Sequence, residues 1–320
     1  MLGKGKSTKP VYIINGFLDS GKTDFFKYTM LQPYFQTKGK TLLIVCEEGE
    51  NEYDEAFLKK TNSVLETFSD QSACTPAGLM ALEAKHDPER VLIEWNGMWN
   101  YRELKLPKAW NREQQITMID ATTFAMYYTN MKSLLSDQLR ESDLILFNRA
   151  DGIADLANYK RNVKAVNQRA EVIFEGADGE LDVTIDEDLP YDLKADPIEL
   201  NNFGFGNFYL DALDHVERYL GKRIRFKGMV MKPGGIPEGC FVPGRLIMTC
   251  CAQDLQVLGF ACEYAGVGSL KERSWVEVTA RVDKKFVEAY EGEGPYLMAE
   301  EVVTCDPPKT EIIDFSNPNE

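Results

Sequence analysis

The sequence predicts an α/β domain with a mostly parallel sheet, followed by a small β-rich domain of the OB barrel type. Three observations carry this. From residue 11 to about residue 176, short apolar runs alternate with longer amphipathic stretches, the βαβ rhythm of a parallel sheet covered by helices. A glycine-rich segment from Gly16 to Thr23 joins the first apolar run to the first amphipathic stretch. Past an acidic, irregular segment the rhythm changes to strand-like runs broken by Gly and Pro. A length of 320 residues agrees with two domains, since single domains usually hold roughly 100–200.

The candidate strands of the first domain are residues 11–15, 41–46, 91–94, 116–120, 143–147 and 171–174, and most end in a polar residue. Ligands of open α/β sheets collect at the carboxyl ends of the strands, where Glu47, Glu94, Asp120 and Asn148 would project. Residues 22–31, 76–85 and 133–140 are the candidate helices. We assign residues 1–180 to this domain and 181–202 to an acidic connector with room for one short strand. The second domain spans residues 203–320, with a helix at 208–220 and five strands at 223–231, 245–250, 257–263, 275–282 and 296–305.

Composition narrows the function. Hydrophobic residues make up 44% of the chain, enough for packed cores. A net charge of −15, from 51 acidic and 36 basic residues, opposes binding to a phosphate backbone, so no nucleic-acid partner is expected. The basic N-terminus is not followed by the apolar stretch of a signal peptide, and no run reaches the roughly 18 residues of a membrane span. A cytoplasmic protein is expected. The seven cysteines lack C-x-x-C spacing and read as reduced thiols. Cys250 and Cys251, adjacent at a strand end, would point to opposite faces and could not share an ion. His86 and His215 show no ligand spacing.

Gly16-Phe-Leu-Asp19-Ser20-Gly21-Lys22-Thr23 has the G-x-x-x-x-G-K-[ST] spacing of a P-loop, which predicts a P-loop NTPase domain. Glycine at both ends lets the backbone N–H groups of the loop, including those at Asp19 and Ser20, converge on an anion at the start of the next helix. Lys22 would add a point charge to the β- and γ-phosphates, and Thr23 would ligate Mg2+. Base choice rests on Asn148-Arg149-Ala150-Asp151, placed where P-loop GTPases carry N-K-x-D. The Asp151 carboxylate can accept from guanine N1–H and N2–H2, a pattern adenine lacks. Arg149 stands where lysine is usual, and the two are not geometrically interchangeable.

With these motifs in order, residues 11 to about 176 resemble the CobW-like GTPases, relatives of HypB and UreG. The segment from Val45 to Asp54 is similar to that family's switch, and Leu92-Ile93-Glu94-Trp95-Asn96-Gly97 is similar to its version of Walker B. Asp120, Gln138, Asp143 and the stretch from Val166 to Ala170 continue the series. The resemblance implies that Glu94 holds Mg2+ or its water shell and that Glu47, Glu50 and Asp54 are switch residues sensing the γ-phosphate. It further implies service to metal enzymes or to zinc homeostasis. The family often carries G-C-x-C-C at its metal site, whereas the corresponding stretch here, Asp70 to Thr75, keeps only Cys74 as a Zn2+ ligand. Residues 191 to about 299 resemble the soluble C-terminal domain of a bacterial membrane-protein family encoded beside a permease, through Phe226-Lys227-Gly228-Met229-Val230, Phe241-Val242-Pro243-Gly244-Arg245 and the Met248 to Ala252 stretch.

The expected function is therefore hydrolysis of GTP to GDP and phosphate with Mg2+, serving metal homeostasis or delivery, with a metal-dependent or membrane transport protein as partner. The catalytic set is Lys22, Glu47, Asp54 and Glu94. Two alternatives stay open: a nucleotide-gated adaptor that barely hydrolyses, and an ATP-specific ATPase on the same P-loop.

Overall fold

A computed structural model describes residues 8–47, 49, 52–183, 189–248, 255–313 and 315. Glu50, Cys250 and Cys251 lie outside the described residues. The chain forms two compact units, residues 1–159 with 169–183, and residues 160–168 with 184–320.

The first unit is built on strands β1 (Lys9–Asn15), β2 (Thr41–Val45), β3 (Ser63–Thr67), β4 (Arg90–Glu94), β5 (Trp110–Asp120), β6 (Leu144–Asn148), β7 (Glu171–Gly176) and β8 (Gly179–Leu181). Their order across the sheet is β3-β2-β4-β1-β5-β6-β7-β8. All neighbours are parallel except β7 and β8, which form an antiparallel hairpin. Each predicted strand of this domain is present, with limits within two residues except that β5 starts at Trp110 rather than 116. β3 was not anticipated, because its half-buried Ser-Val-Leu-Glu-Thr run sits at the sheet edge and shows a weak apolar signal.

Strand alternation explains why the central strands are apolar on both sides. Val11, Ile13, Leu42, Ile44, Val91 and Ile93 pack on one face. Ile14, Leu43, Leu92, Ile116 and Met118 pack on the other, where Phe26 and Met30 join them from helix α1 (Lys22–Leu31). Those two residues are one helical turn apart and so share a face. Helices α2 (Glu55–Lys60) and α3 (Pro76–His86) begin at the N-caps Asp54 and Thr75, whose side chains accept from the backbone N–H groups of Phe57 and Gly78. The remaining helices of this unit are α4 (Phe124–Asn130) and α5 (Lys132–Leu139), while α6 (Leu156–Val166) starts in it and has most of its residues in the second unit.

The second unit contains β9 (Ile198–Leu200), α7 (Asn202–Asp214), β10 (Arg223–Met231), β11 (Cys240–Met248), β12 (Leu255–Leu258), β13 (Cys262–Glu263), β14 (Trp275–Val287), β15 (Gly292–Thr304) and β16 (Ile312–Ile313). The pairing path is β12-β11-β13-β15-β14-β10-β9, and β10 also pairs with β11, so the pairings return on themselves through β10, β11, β13, β15 and β14. Three expectations need correction. The helix starts at Asn202 rather than 208, because the Asn201 side chain caps it on Gly204 N–H. β11 starts at Cys240 and runs through Pro243-Gly244, which reads as a turn in the sequence. The expected 257–263 strand is split into β12 and β13 by Gly259, Phe260 and Ala261, of which Phe260 stacks on Tyr209 at 4.6 Å. No helix among the described residues is long and apolar enough to cross a membrane.

Candidate nucleotide site

Strand order places the site. β1 lies between β4 and β5, so the loop leaving Asn15 is flanked by the carboxyl ends of β4 and β2 on one side and of β5 and β6 on the other. Glu94 ends β4, Cys46 and Glu47 follow β2, Asp120 ends β5 and Asn148 ends β6. A cleft of about 340 Å3 opens here, lined among others by Asp19, Gly21, Lys22, Thr23, Glu47, Glu94 and Arg149.

The loop turns on two left-handed glycines, Gly16 at φ 138° and Gly21 at φ 91°. A Cβ on Gly16 would overlap the Met118 carbonyl oxygen, and one on Gly21 would sit 2.7 Å from the Asn148 amide nitrogen. Asp19 also has positive φ, at 60°, a conformation Asp tolerates better than most residues. Lys22 is folded back into the loop: its ammonium donates to the carbonyls of Gly16 at 2.9 Å and Phe17 at 2.8 Å, and to Glu47 Oε2 at 2.6 Å. It is 3% exposed, so its charge is directed rather than solvated. Ser20 Oγ is buried without a partner.

Glu94, 4% exposed, accepts from the Thr23 hydroxyl at 2.7 Å and from Tyr53 OH at 2.6 Å. Burial raises its pKa, while the two hydroxyls and Lys22 pull the other way. Burial together with the Glu94 charge pushes the Tyr53 phenol up. Asp54 does not line this cleft; it is exposed and caps α2.

On the other side, the Asn148 amide donates to the Ser20 carbonyl at 2.8 Å, while its own side-chain oxygen is buried without a partner. Arg149 adopts φ 51°, donates from Nε to Asp120 Oδ2 at 2.9 Å, and reaches the Asp19 carbonyl with a terminal nitrogen. The Asp151 carboxylate accepts from Ala177 N–H at 2.7 Å, and it is exposed outside the cleft lining.

Cys74 is buried in the same apolar cluster as Cys46. Contact with the Cys74 thiol, then burial, then the nearby carboxylates of Glu94 and Glu47 hold the Cys46 thiol protonated. Two thiols fall short of the about four ligands that a tight zinc site requires, and no group of three or more His, Cys, Asp or Glu among the described residues could hold a metal ion. A resident zinc site does not fit these residues. Mg2+ does fit at Thr23 and Glu94, where two hard oxygen donors lie at the phosphate end of the loop.

Residues 10–174 match the CobW/HypB/UreG nucleotide-binding domain. The chain belongs to this family. Residues 179–313 match the DUF1980 C-terminal domain. No curated protein matches the chain. Among solved structures, the hydrogenase maturation factor HypB of Archaeoglobus fulgidus is 20% identical, with a TM-score of 0.41 over 54% of this chain and 83% of its own. The Zn(II)-bound YjiA GTPase of E. coli is 18% identical, with a TM-score of 0.40 over 78% and 88%. HypB of Helicobacter pylori in complex with nickel is 13% identical, with a TM-score of 0.37 over 54% and 81%.

Tyr53, beside the motif residue Asp54, was not singled out in the sequence, and Asp120 and Arg149, both singled out there, were not expected to pair across 29 residues of chain. Both become visible only when β4, β5 and β6 are laid beside one another.

Proposed function

We propose that the chain is a cytoplasmic GTPase that hydrolyses GTP to GDP and phosphate with Mg2+, with residues 1–180 as the hydrolytic domain, 181–202 as the connector and 203–320 as the β-rich domain. The observation that carries this is the buried ion pair of Lys22 with Glu47 inside a P-loop of the CobW/HypB/UreG family. The loop N–H groups of Asp19, Ser20 and Gly21 would hold the phosphates, and Lys22 would exchange the Glu47 carboxylate for phosphate oxygens. That exchange frees Glu47 to orient water at the γ-phosphorus, where the bond to the β–γ bridging oxygen breaks. Mg2+, held by Thr23 and Glu94, supplies neutralisation of phosphate charge when bound. Asp54 contributes by fixing the start of α2, next to Tyr53. Asn148, Arg149 and Asp151 would select guanine, with Asp151 giving up its bond to Ala177 N–H or sharing it.

Family membership supports service to metal homeostasis or delivery, with zinc as cargo rather than a resident ion. Cys46, next to Glu47 in the chain, and Cys74 are the thiols of the first unit, and the expected partner is a metal-dependent or membrane transport protein. The closed path of pairings through β10, β11, β13, β15 and β14 supports an OB-type barrel for the second domain. Turnover of GTP and of ATP by the purified chain, beside Lys22→Ala, tests the enzymatic reading; equal rates in both proteins refute it, and a preference for ATP refutes the role given to Asp151.

A further inference from the structure

The second unit contains a cleft of about 680 Å3 whose chemistry the nucleotide site does not use. Its charged lining is Arg225, Lys227, Arg245 and Lys309 against Glu199 and Glu277, a cationic surplus in a chain of net charge −15. Arg225 and Glu199 face each other in the β9–β10 register and form an ion pair, so they cancel. Lys227 donates to the Asp306 carbonyl at 3.3 Å and stands opposite Glu277 in the β10–β14 register, with no ion pair between the two among the described residues.

Arg245 is the anomaly. It is 2% exposed, and none of its contacts among the described residues is an ion pair with a carboxylate. One terminal nitrogen donates to Asn202 Oδ1 at 2.7 Å and the other to the Thr310 carbonyl at 3.0 Å, while the guanidinium lies 5.3 Å from the Trp275 ring centroid. Its Nε is buried without an acceptor. Burying a charge without a counter-ion is costly, which is why buried charges are almost always paired. Burial pushes its pKa down to about 10, while the charge of Glu311 acts in the opposite direction.

We propose that this cleft binds the oxyanion group, phosphate or carboxylate, of a small soluble ligand, with Lys227 and Lys309 as the contacting cations and Arg245 as the buried counter-charge. Leu200, Phe226 and Pro308 give the ligand's remainder an apolar wall. An extended polyanion does not suit the site, since Glu199 and Glu277 stand in the lining and the chain as a whole is acidic.

The full chain and its Lys22→Ala variant are titrated calorimetrically with inorganic phosphate and separately with citrate. Lys22→Ala removes the P-loop cation, so a signal retained there belongs to the second unit whatever becomes of the nucleotide reading. The expected result is one saturable site per chain in Lys22→Ala, present in the parent beside any phosphate that the P-loop takes, and weakened by about tenfold or more when Lys227→Gln and Lys309→Gln are added to Lys22→Ala, as loss of charge-assisted contacts requires. The melting temperature of that double variant without added anion should match the parent, because neither lysine is buried. Phosphate binding without citrate binding assigns a phosphoryl ligand, and the reverse assigns a carboxylate. No saturable binding of either probe, or binding unchanged in the double variant, overturns the proposal.

Discussion

Thr23 donates its hydroxyl hydrogen to Glu94 Oε1 at 2.7 Å across 71 residues of chain, so the first turn of α1 and the end of β4 are tied by a single hydrogen bond. Tyr53 occupies the other carboxylate oxygen. Burial raises the pKa of this carboxylate, and the two hydroxyls and Lys22 oppose the shift.

Its pH dependence follows. Burial raises the folded-state pKa of Glu94 above its ordinary value of 4.5, so between those two values the folded chain binds more protons than the unfolded one. Stability of the nucleotide-free protein should therefore fall as pH rises from about 4.5 toward the folded-state pKa. Glu94→Gln should flatten this slope and raise the neutral-pH melting temperature, while abolishing Mg2+-dependent turnover. Melting curves from pH 4 to 8 check it; parallel curves for the two proteins would show that Glu94 is not the group responsible.

The Lys22–Glu47 pair should show state-dependent coupling. Without nucleotide, a double-mutant cycle on Lys22→Met and Glu47→Gln should give about 1–3 kcal/mol of interaction, because both groups are nearly enclosed. With GTP and Mg2+ bound to wild type and to Glu47→Gln, the loss from Glu47→Gln should shrink, since phosphate oxygens replace the carboxylate at Lys22. Turnover by Lys22→Met should drop on the order of a hundredfold or more.

Gly16→Ala should be damaging out of proportion to one methyl group. The position needs φ 138°, and the added Cβ would meet the Met118 carbonyl. A loss of about 1–3 kcal/mol is expected from strained backbone alone, together with loss of nucleotide binding in equilibrium dialysis. A variant that melts and binds like wild type would contradict the loop geometry.

Asp151→Asn should redirect base choice. An amide places a donor where guanine N2–H2 also donates, whereas xanthine offers a carbonyl oxygen at that position. Competition of XTP against GTP should invert between wild type and variant, and an unchanged preference would remove Asp151 from base recognition.

Much of the first unit was readable because its central strands are apolar on both faces and stand out as runs such as residues 41–46. The P-loop was readable because its demands are local: two glycines, a lysine and a hydroxyl at fixed spacing. Partnerships across the sheet were not. Nothing in the spacing of Tyr53 and Glu94 announces their contact, and Arg149 differs from the usual lysine without announcing that it reaches Asp120. In the second unit, Pro243 reads as a turn and Gly259 as the interior of a strand, and the structure reverses both. Pro243 lies inside β11, whereas Gly259 opens the break between β12 and β13, so local punctuation misplaced the strand limits.

Because β1 is flanked by β4 and β2 on one side and by β5 and β6 on the other, the groups proposed to act at the phosphates and those proposed to choose the base descend from separate strands. A lineage could thus exchange its nucleotide without rebuilding its cleavage machinery, and could slow or speed its clock without changing the fuel it recognises.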